Sequence, residues 1–357
     1  MQNFFQILIS GVGSIWIKNA WYVAGWSSDI KSDELLSRTF LNIPIILYRD
    51  TSENVVAMED RCSHRFAPLS KGRLEGDSIR CMYHGLKFSA TGDCIEIPGG
   101  DKIPPSMKVK TFPVTERQKL VWIWLGDPTL ANEREITDLP YLDSAYWAYK
   151  EGYIHYESDF SLIADNLLDF SHLTFVHEKT IGSSGLANER PKSEIKDYGI
   201  RLINFNKNDD PAPHVKKFGG LNGKVDRWTI SDWYYRGNLL VMDSGSMPAG
   251  SDGPDGDRAG AIEFRHLSAL TPETDLTCHY HFAQAQSFAT DNDDVTEGIF
   301  KTVCIAFEED RDIIEAQQRV INLDPMRDMK PVSFDGPLTH IRKIMNKAIE
   351  QEQSIAK

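Results

Sequence analysis

Apolar and polar positions divide the chain into two kinds of material. From about Asn19 to Pro128 the apolar residues come in short β-rich runs, among them Thr39–Tyr48 and Leu120–Leu125, with turns at Gly92-Asp93 and Pro98-Gly99-Gly100. Gly126-Asp127-Pro128 closes this stretch, and a loop from Thr129 to Pro140 leads to a different period. Between Asp159 and His177, Leu162, Ile163, Leu167, Phe170, Leu173 and Val176 recur at helical spacing, which predicts an amphipathic helix. Strands at 238–242 and 277–282 follow, then a helix from Thr296 to Val320 with Ile299, Val303, Phe307 and Ile314 on one side. A last helix runs from Thr339 to Gln353, and Asn206–Gly223 and Ser244–Gly260 read as loops. The expected class is α+β: an arm over 1–16, an all-β domain over 17–128, and a sheet-plus-helices domain over 129–357.

Composition narrows the function without naming it. A length of 357 residues suits about two domains, and 41% hydrophobic with 25% charged residues is ordinary for a globular chain. Thirty-nine basic against 52 acidic residues leave a net charge of -13, which repels phosphate backbones and argues against a nucleic-acid partner. The least charged run, Phe4 to Ile17, falls short of the roughly 20 residues a helix needs to cross a bilayer core. Met1-Gln2-Asn3 supplies no positive start for a secretory signal, so no membrane role is expected. Five cysteines are too few and too uneven for a disulfide framework and fit a reducing cytoplasm. Cys94, Cys278 and Cys304 are expected as small buried apolar groups.

The chemistry begins at Cys62-Ser63-His64 and Cys81-Met82-Tyr83-His84. Each tight turn offers one thiolate and one imidazole. Structural zinc sites more often pair like ligands, as C-x-x-C with H-x-x-x-H. A [2Fe–2S] cluster with two histidines on one iron needs one Cys and one His from each turn, which is the pairing present. Gly85 and Gly92 suit the crowded backbone around such a group. Cys62, His64, Cys81 and His84 thus resemble the Rieske motif. In respiratory Rieske proteins a second cysteine pair would fall at Ala67 and Tyr83, and neither is Cys, so the resemblance is to the soluble Rieske oxygenases.

A second constellation lies in Asp165-Asn166-Leu167-Leu168-Asp169-Phe170-Ser171-His172, continuing to His177. Asn166, Asp169 and His172 are three apart and share one helix face. His172 and His177 lie about 140° apart on a regular helix, so both reach one metal only if the helix ends or widens there. Two His and one carboxylate make the facial set that holds non-haem Fe(II) with positions open to O2. Spacing leaves Glu309, Asp310 and Asp312 equal as the carboxylate. Leu162, Phe170 and Ile305 offer an apolar lining that an aromatic pocket or a plain core would share. His279 and His281 share one strand face and lack further ligands, so packing is expected of them.

The pattern N-x-x-D-x-x-H-x-x-x-x-H at Asn166, Asp169, His172 and His177 completes the resemblance, which covers nearly the whole chain after Ile17. It is similar to the Rieske oxygenases built from α subunits alone, of the vanillate O-demethylase and dicamba monooxygenase kind. The resemblance implies a helix-grip-like catalytic domain, a [2Fe–2S] cluster and a mononuclear Fe(II). It selects Asp310, five residues before Glu315-Ala316-Gln317, as the third ligand. It gives Asp169 the role of a bridge between His172 and His84 of a neighbouring protomer in a head-to-tail homotrimer, with Asn166 as a nearby polar group. His266 resembles a position that touches substrate carboxylate. The implied activity is a terminal monooxygenase that hydroxylates or O-demethylates a small substituted aromatic compound with O2 and electrons from a separate reductase or ferredoxin. A ring cis-dihydroxylating dioxygenase is the alternative within enzymes, and a non-enzymatic Rieske-type electron carrier the alternative outside them.

Overall fold

The computed structural model describes residues 16–100, 102–177, 190–333 and 335–355, so the expected arm lies outside it except for Trp16. The described chain forms two compact units. The first takes residues 18–138 and the short segment 271–275. Its strands are β1 (Trp21–Trp26), β2 (Leu36–Phe40), β3 (Ile43–Arg49), β4 (Val55–Glu59), β5 (Arg73–Glu75), β6 (Ser78–Arg80), β7 (Lys87–Phe88), β8 (Cys94–Glu96), β9 (Val114–Arg117) and β10 (Leu120–Trp124). They pair as three small sheets, β1-β10-β9, β2-β3-β4 and β5-β6-β7-β8. Every residue of β1 and β10 is buried, so these strands read as unbroken apolar runs instead of alternating ones.

Two expectations are corrected here. The run Thr39–Tyr48 is a hairpin, with Leu41 and Asn42 at φ +50° and +64° forming a two-residue turn hidden inside an apolar stretch. The unit also continues past Pro128 through Asp138, and Trp21 Nε1 donates to the Asn132 carbonyl at 3.0 Å, tying the expected linker back.

The second unit takes residues 139–270 and 276–357. Strands β11 (Ala148–Tyr156), β12 (Lys192–Lys196), β13 (Gly199–Asp209), β14 (Val225–Tyr234), β15 (Leu239–Pro248), β16 (Ile262–Thr274) and β17 (Thr277–Gln286) form one sheet in the order β11-β17-β16-β15-β14-β13-β12. Its helices are α1 (Phe160–Leu168), α2 (Leu173–Val176), α3 (Pro213–Gly219), α4 (Asp293–Leu323) and α5 (Gly336–Ile355). An α+β architecture results, an all-β part followed by a large sheet with helices. The two expected loops are largely regular: 206–223 holds the end of β13 and all of α3, and 244–260 begins with half of β15.

Helix α4 organises this unit. Asn292 caps it by accepting from Asp294 and Val295 amides, and Asp293 and Asp294 in the first turn suit the positive end of the helix dipole. Its buried stripe, Ile299, Ala306, Phe307, Asp310, Ile314 and Gln318, has helical period. Phe307 meets Tyr280 and Phe282 of β17 at ring distances of 5.3 and 4.9 Å. Gln318 accepts from the Asp159 amide at 2.9 Å and thereby fixes the start of α1 beside α4. Arg342 on α5 pairs with Asp165 on α1.

Candidate active site

The first constellation sits on two turns with the same hydrogen-bond scheme. Cys62 N donates to Ala67 O at 2.9 Å and Phe66 N to Cys62 O at 2.9 Å; Cys81 N donates to Leu86 O at 2.8 Å and Gly85 N to Cys81 O at 3.0 Å. The fifth residue of each turn, Phe66 or Gly85, has positive φ, +58° and +77°. A Cβ on Gly85 would approach Pro98 Cγ to 2.7 Å, so glycine is required there on two counts. Arg80 donates to the Gly85 carbonyl at 2.7 Å while paired with Glu75 and Glu96, which pins the second turn. Both thiols are buried, and both imidazoles are exposed with ring centroids 4.6 Å apart. Burial, with the Cys81 thiol alongside, pushes the Cys62 thiol up to about 11. Two sulfurs inside and two nitrogens outside fit a two-iron group with unlike ligands on its two metals.

The second constellation depends on a helix that stops. The predicted helix from Asp159 to His177 is two: α1 ends at Asp169, whose backbone is extended, and α2 is a single turn with His172 and His177 at its two ends. The Asp169 carboxylate accepts from the Ser171 amide at 2.8 Å and the Ser171 hydroxyl at 3.0 Å, and the Asp169 carbonyl accepts from His172 Nδ1. These local bonds replace the helical ladder. They also correct the expected bridge: Asp169 reaches His172 through its main chain, not its carboxylate.

The break brings the two imidazoles to 5.3 Å and turns them toward α4. Asp310 Oδ1 lies 3.5 Å from His172 Nε2 and 3.1 Å from His177 Nε2, and the three donors lie within 4.8 Å of one another. Donors bonded at right angles to one ion at about 2.1 Å stand about 3 Å apart, so this set fits one transition metal. His177 Nδ1 meets Glu309 Oε2 at 2.8 Å, and Asn166 donates to Asp310 Oδ1 at 2.8 Å. Glu309, a candidate ligand in the sequence, therefore stands behind a histidine; Asp312 is exposed. Burial lowers the His172 imidazole; at His177 burial also lowers it, but the carboxylates of Asp310 and Glu309, accepting its hydrogen bonds, together outweigh burial and raise it.

A cavity of about 260 Å³ opens beside this triad, lined by Asn166, His172, His177 and Asp310 at one end. Its walls come from α4 and from β13 to β16. Phe170 lines it, but Leu162 faces another pocket and Ile305 is 54% exposed, which corrects their joint reading as one apolar lining. His266 reaches the cavity wall with both nitrogens engaged, Nδ1 with Gln284 at 3.1 Å and Nε2 with Ser268 at 2.9 Å. Burial holds it down at about 4, so it is a neutral packing group as well as a wall. His279 and His281 are buried, and His279 bonds the Tyr153 hydroxyl at 2.8 Å. Cys94 and Cys278 are buried and Cys304 half-buried. His214 and Arg227, also on the wall, escaped the sequence reading; the alternation of polar residues at Asn204/Asn206, Arg227/Thr229 and Ser244/Ser246 was the available signal.

Comparison with known proteins agrees with both centres. Residues 156–351 match the vanillate O-demethylase oxygenase C-terminal domain family, and residues 20–113 match the Rieske [2Fe-2S] domain family. The chain is 46% identical over 342 residues to the toluene-4-sulfonate monooxygenase system iron-sulfur subunit of Comamonas testosteroni, covering 95% of this chain and 98% of that one. It is 31% identical to a vanillate O-demethylase oxygenase subunit of a Pseudomonas species, covering 95% and 96%. The crystal structure of dicamba monooxygenase bound to 3,6-dichlorosalicylic acid superposes with a TM-score of 0.86 at 31% identity, covering 94% and 98%. This chain therefore belongs to the Rieske non-haem iron oxygenases of the vanillate O-demethylase type, enzymes that carry a [2Fe–2S] cluster and a mononuclear iron.

Proposed function

We propose that the chain is the terminal oxygenase of a cytoplasmic multicomponent system that hydroxylates or O-demethylates a substituted aromatic compound, with electrons delivered by a separate reductase or ferredoxin. The observation that carries this reading is the His172–His177–Asp310 set, with His177 and Asp310 buried, opening onto a largely apolar cavity, in the same chain as the exposed His64–His84 pair. The relatives named as a toluene-4-sulfonate monooxygenase subunit and a vanillate O-demethylase subunit support an aromatic substrate and a separate electron donor. Among the described residues no helix is long and apolar enough to cross a membrane.

In this reading Cys62 and Cys81 hold one iron of the cluster, His64 and His84 the other, and His172, His177 and Asp310 hold the mononuclear iron. When bound, these groups supply single-electron transfer and coordination positions open to O2. The protein's own part is to fix the donors. The Asp169 carbonyl accepts a hydrogen bond from His172 Nδ1–H, which would leave Nε2 free as the ligand atom toward the metal, and the Glu309 carboxylate does the same for His177. Asn166 donates to Asp310 Oδ1 and restrains that carboxylate. Asp169 lines a second pocket of about 320 Å³ that shares Asn166 and His172 with the substrate cavity, and in this reading it takes a neighbour's His84 in a head-to-tail homotrimer.

Single turnover tests the reaction. The holoenzyme is reduced anaerobically and mixed with O2 and a panel of methoxy- and methyl-substituted aromatics. Formaldehyde with a phenol, or a benzylic alcohol, is the expected product. A cis-diol identifies the dioxygenase alternative instead, and hydrogen peroxide with no oxidised aromatic contradicts both.

A further inference from the structure

The cavity is not uniform along its length. Asn204, Thr229 and Ser244 face one another across β13, β14 and β15 on one rung of the sheet, and Asn206, Arg227 and Ser246 form the next rung. All six side chains share one sheet face by period two and line the cavity. His214, on α3, joins them, and its Nδ1 is buried with no hydrogen-bond partner among the described residues. His214 also stands edge-on to Phe264 at 5.3 Å, and Phe264 packs with Val215, Ile262 and Ile299 in one apolar cluster.

That cluster locates the polar rungs. Ile299 lies eleven positions before Asp310 on α4, or about 16 Å along the axis at 1.5 Å per residue. The triad and the polar rungs thus occupy opposite ends of the cavity. An apolar cavity of about 150 Å³ accepts benzene, so this one, at about 260 Å³, has room for a ring with substituents. Arg227 is ion-paired with Asp209, whose carboxylate oxygen lies 2.8 Å from Nε. Asp209 is 38% exposed and Arg227 16%, so water screens the acid more than the cation. An arginine fork among amides and hydroxyls matches the oxygens of a carboxylate or sulfonate.

On the reading of this chain as an aromatic oxygenase, we propose that Arg227 and His214, with the two polar rungs of β13–β15, form a subsite for an anionic substituent of the substrate, carboxylate or sulfonate, at the end of the cavity away from the metal-binding triad. The ring then lies between anion and triad, and the substituent opposite the anion is the one presented for oxidation. The neutral state of His214, held down at about 4 by burial and by Arg227, agrees with a group that donates one N–H to an anion without adding a second fixed charge.

Anaerobic calorimetric titration of the iron-loaded protein tests this with three probes: 4-methylbenzenesulfonate, 4-methylbenzoate and the neutral 4-methylbenzenesulfonamide. The anions are expected to bind about 10- to 100-fold more tightly than the sulfonamide, the scale of charge-assisted hydrogen bonds in a desolvated site. The tighter of the two anions names the substituent. Arg227→Met is expected to collapse the anion-to-neutral ratio to within about threefold. Arg227→Lys is expected to keep part of that ratio, and His214→Asn to reduce it. Iron content checks that each variant is folded, and if Arg227→Met is not, Arg227→Lys and His214→Asn carry the test. A sulfonamide that binds wild type as tightly as the anions overturns the subsite and leaves the aromatic oxygenase reading standing, as does an unchanged ratio in folded variants. Failure of all three probes to bind a fully loaded protein overturns both.

Discussion

Cys62, His64, Cys81 and His84 come from two neighbouring turns, whereas His172 and His177 meet their carboxylate only on a helix far along the chain. In the first unit the backbone builds the site: two turns repeat one hydrogen-bond scheme, with Phe66 and Gly85 at matching positive-φ positions. In the second unit long-range side-chain bonds from Asn166 and Glu309 do most of it, with one main-chain contact from the Asp169 carbonyl. The solvent settings differ as well. His64 and His84 are exposed, as suits a group that exchanges electrons with partners, while His177 and Asp310 are 0% and 5% exposed, as suits oxygen chemistry kept from water.

If the two centres are independently built, each can be removed alone. Cys81→Ala is expected to have the largest effect: loss of the visible absorption of the cluster, iron falling from about three per chain to about one, and turnover at background. Asp310→Ala comes next, with iron falling to about two, an unchanged cluster spectrum and turnover reduced about 1000-fold or more. Loss of the cluster spectrum in that variant would break the separation between the two regions.

Asp169→Asn sharpens the comparison, because the His172 bond runs through the main chain and survives the change. Both centres should stay loaded while turnover falls about 100-fold. Wild-type rates in that variant end the bridging role. Glu309→Gln has the smallest expected effect, a loss of about 10- to 100-fold in iron affinity as the hydrogen bond to His177 weakens. Unchanged iron affinity in a chelator competition removes Glu309 from the account.

How much was legible in the sequence follows from the same contrast. The first constellation is local, so its spacing alone gave the pairing of one thiol and one imidazole per turn. The second was half legible. Asn166, Asp169, His172 and His177 stand together in sequence, but the apolar period from Leu162 to Val176 runs unbroken across Asp169–His172 and conceals the stop made by the Ser171 and His172 bonds. Asp310 and Glu309 are adjacent, and only the rotation of about 100° between neighbours on a helix separates the residue facing both imidazoles from the one behind His177. Strand alternation in 204–206, 227–229 and 244–246 was present but carried no partner information, since register between strands is a tertiary property. The Leu41–Asn42 turn was invisible because Leu rarely occupies positive φ.

One determination bears most directly on the claim that two separate iron centres share this chain. Iron, zinc and acid-labile sulfide are quantified together on protein purified without added metal. About three iron and two sulfide per chain, with no zinc, is the expected result. Stoichiometric zinc without sulfide, or two iron with two sulfide and no gain on adding Fe(II), contradicts it.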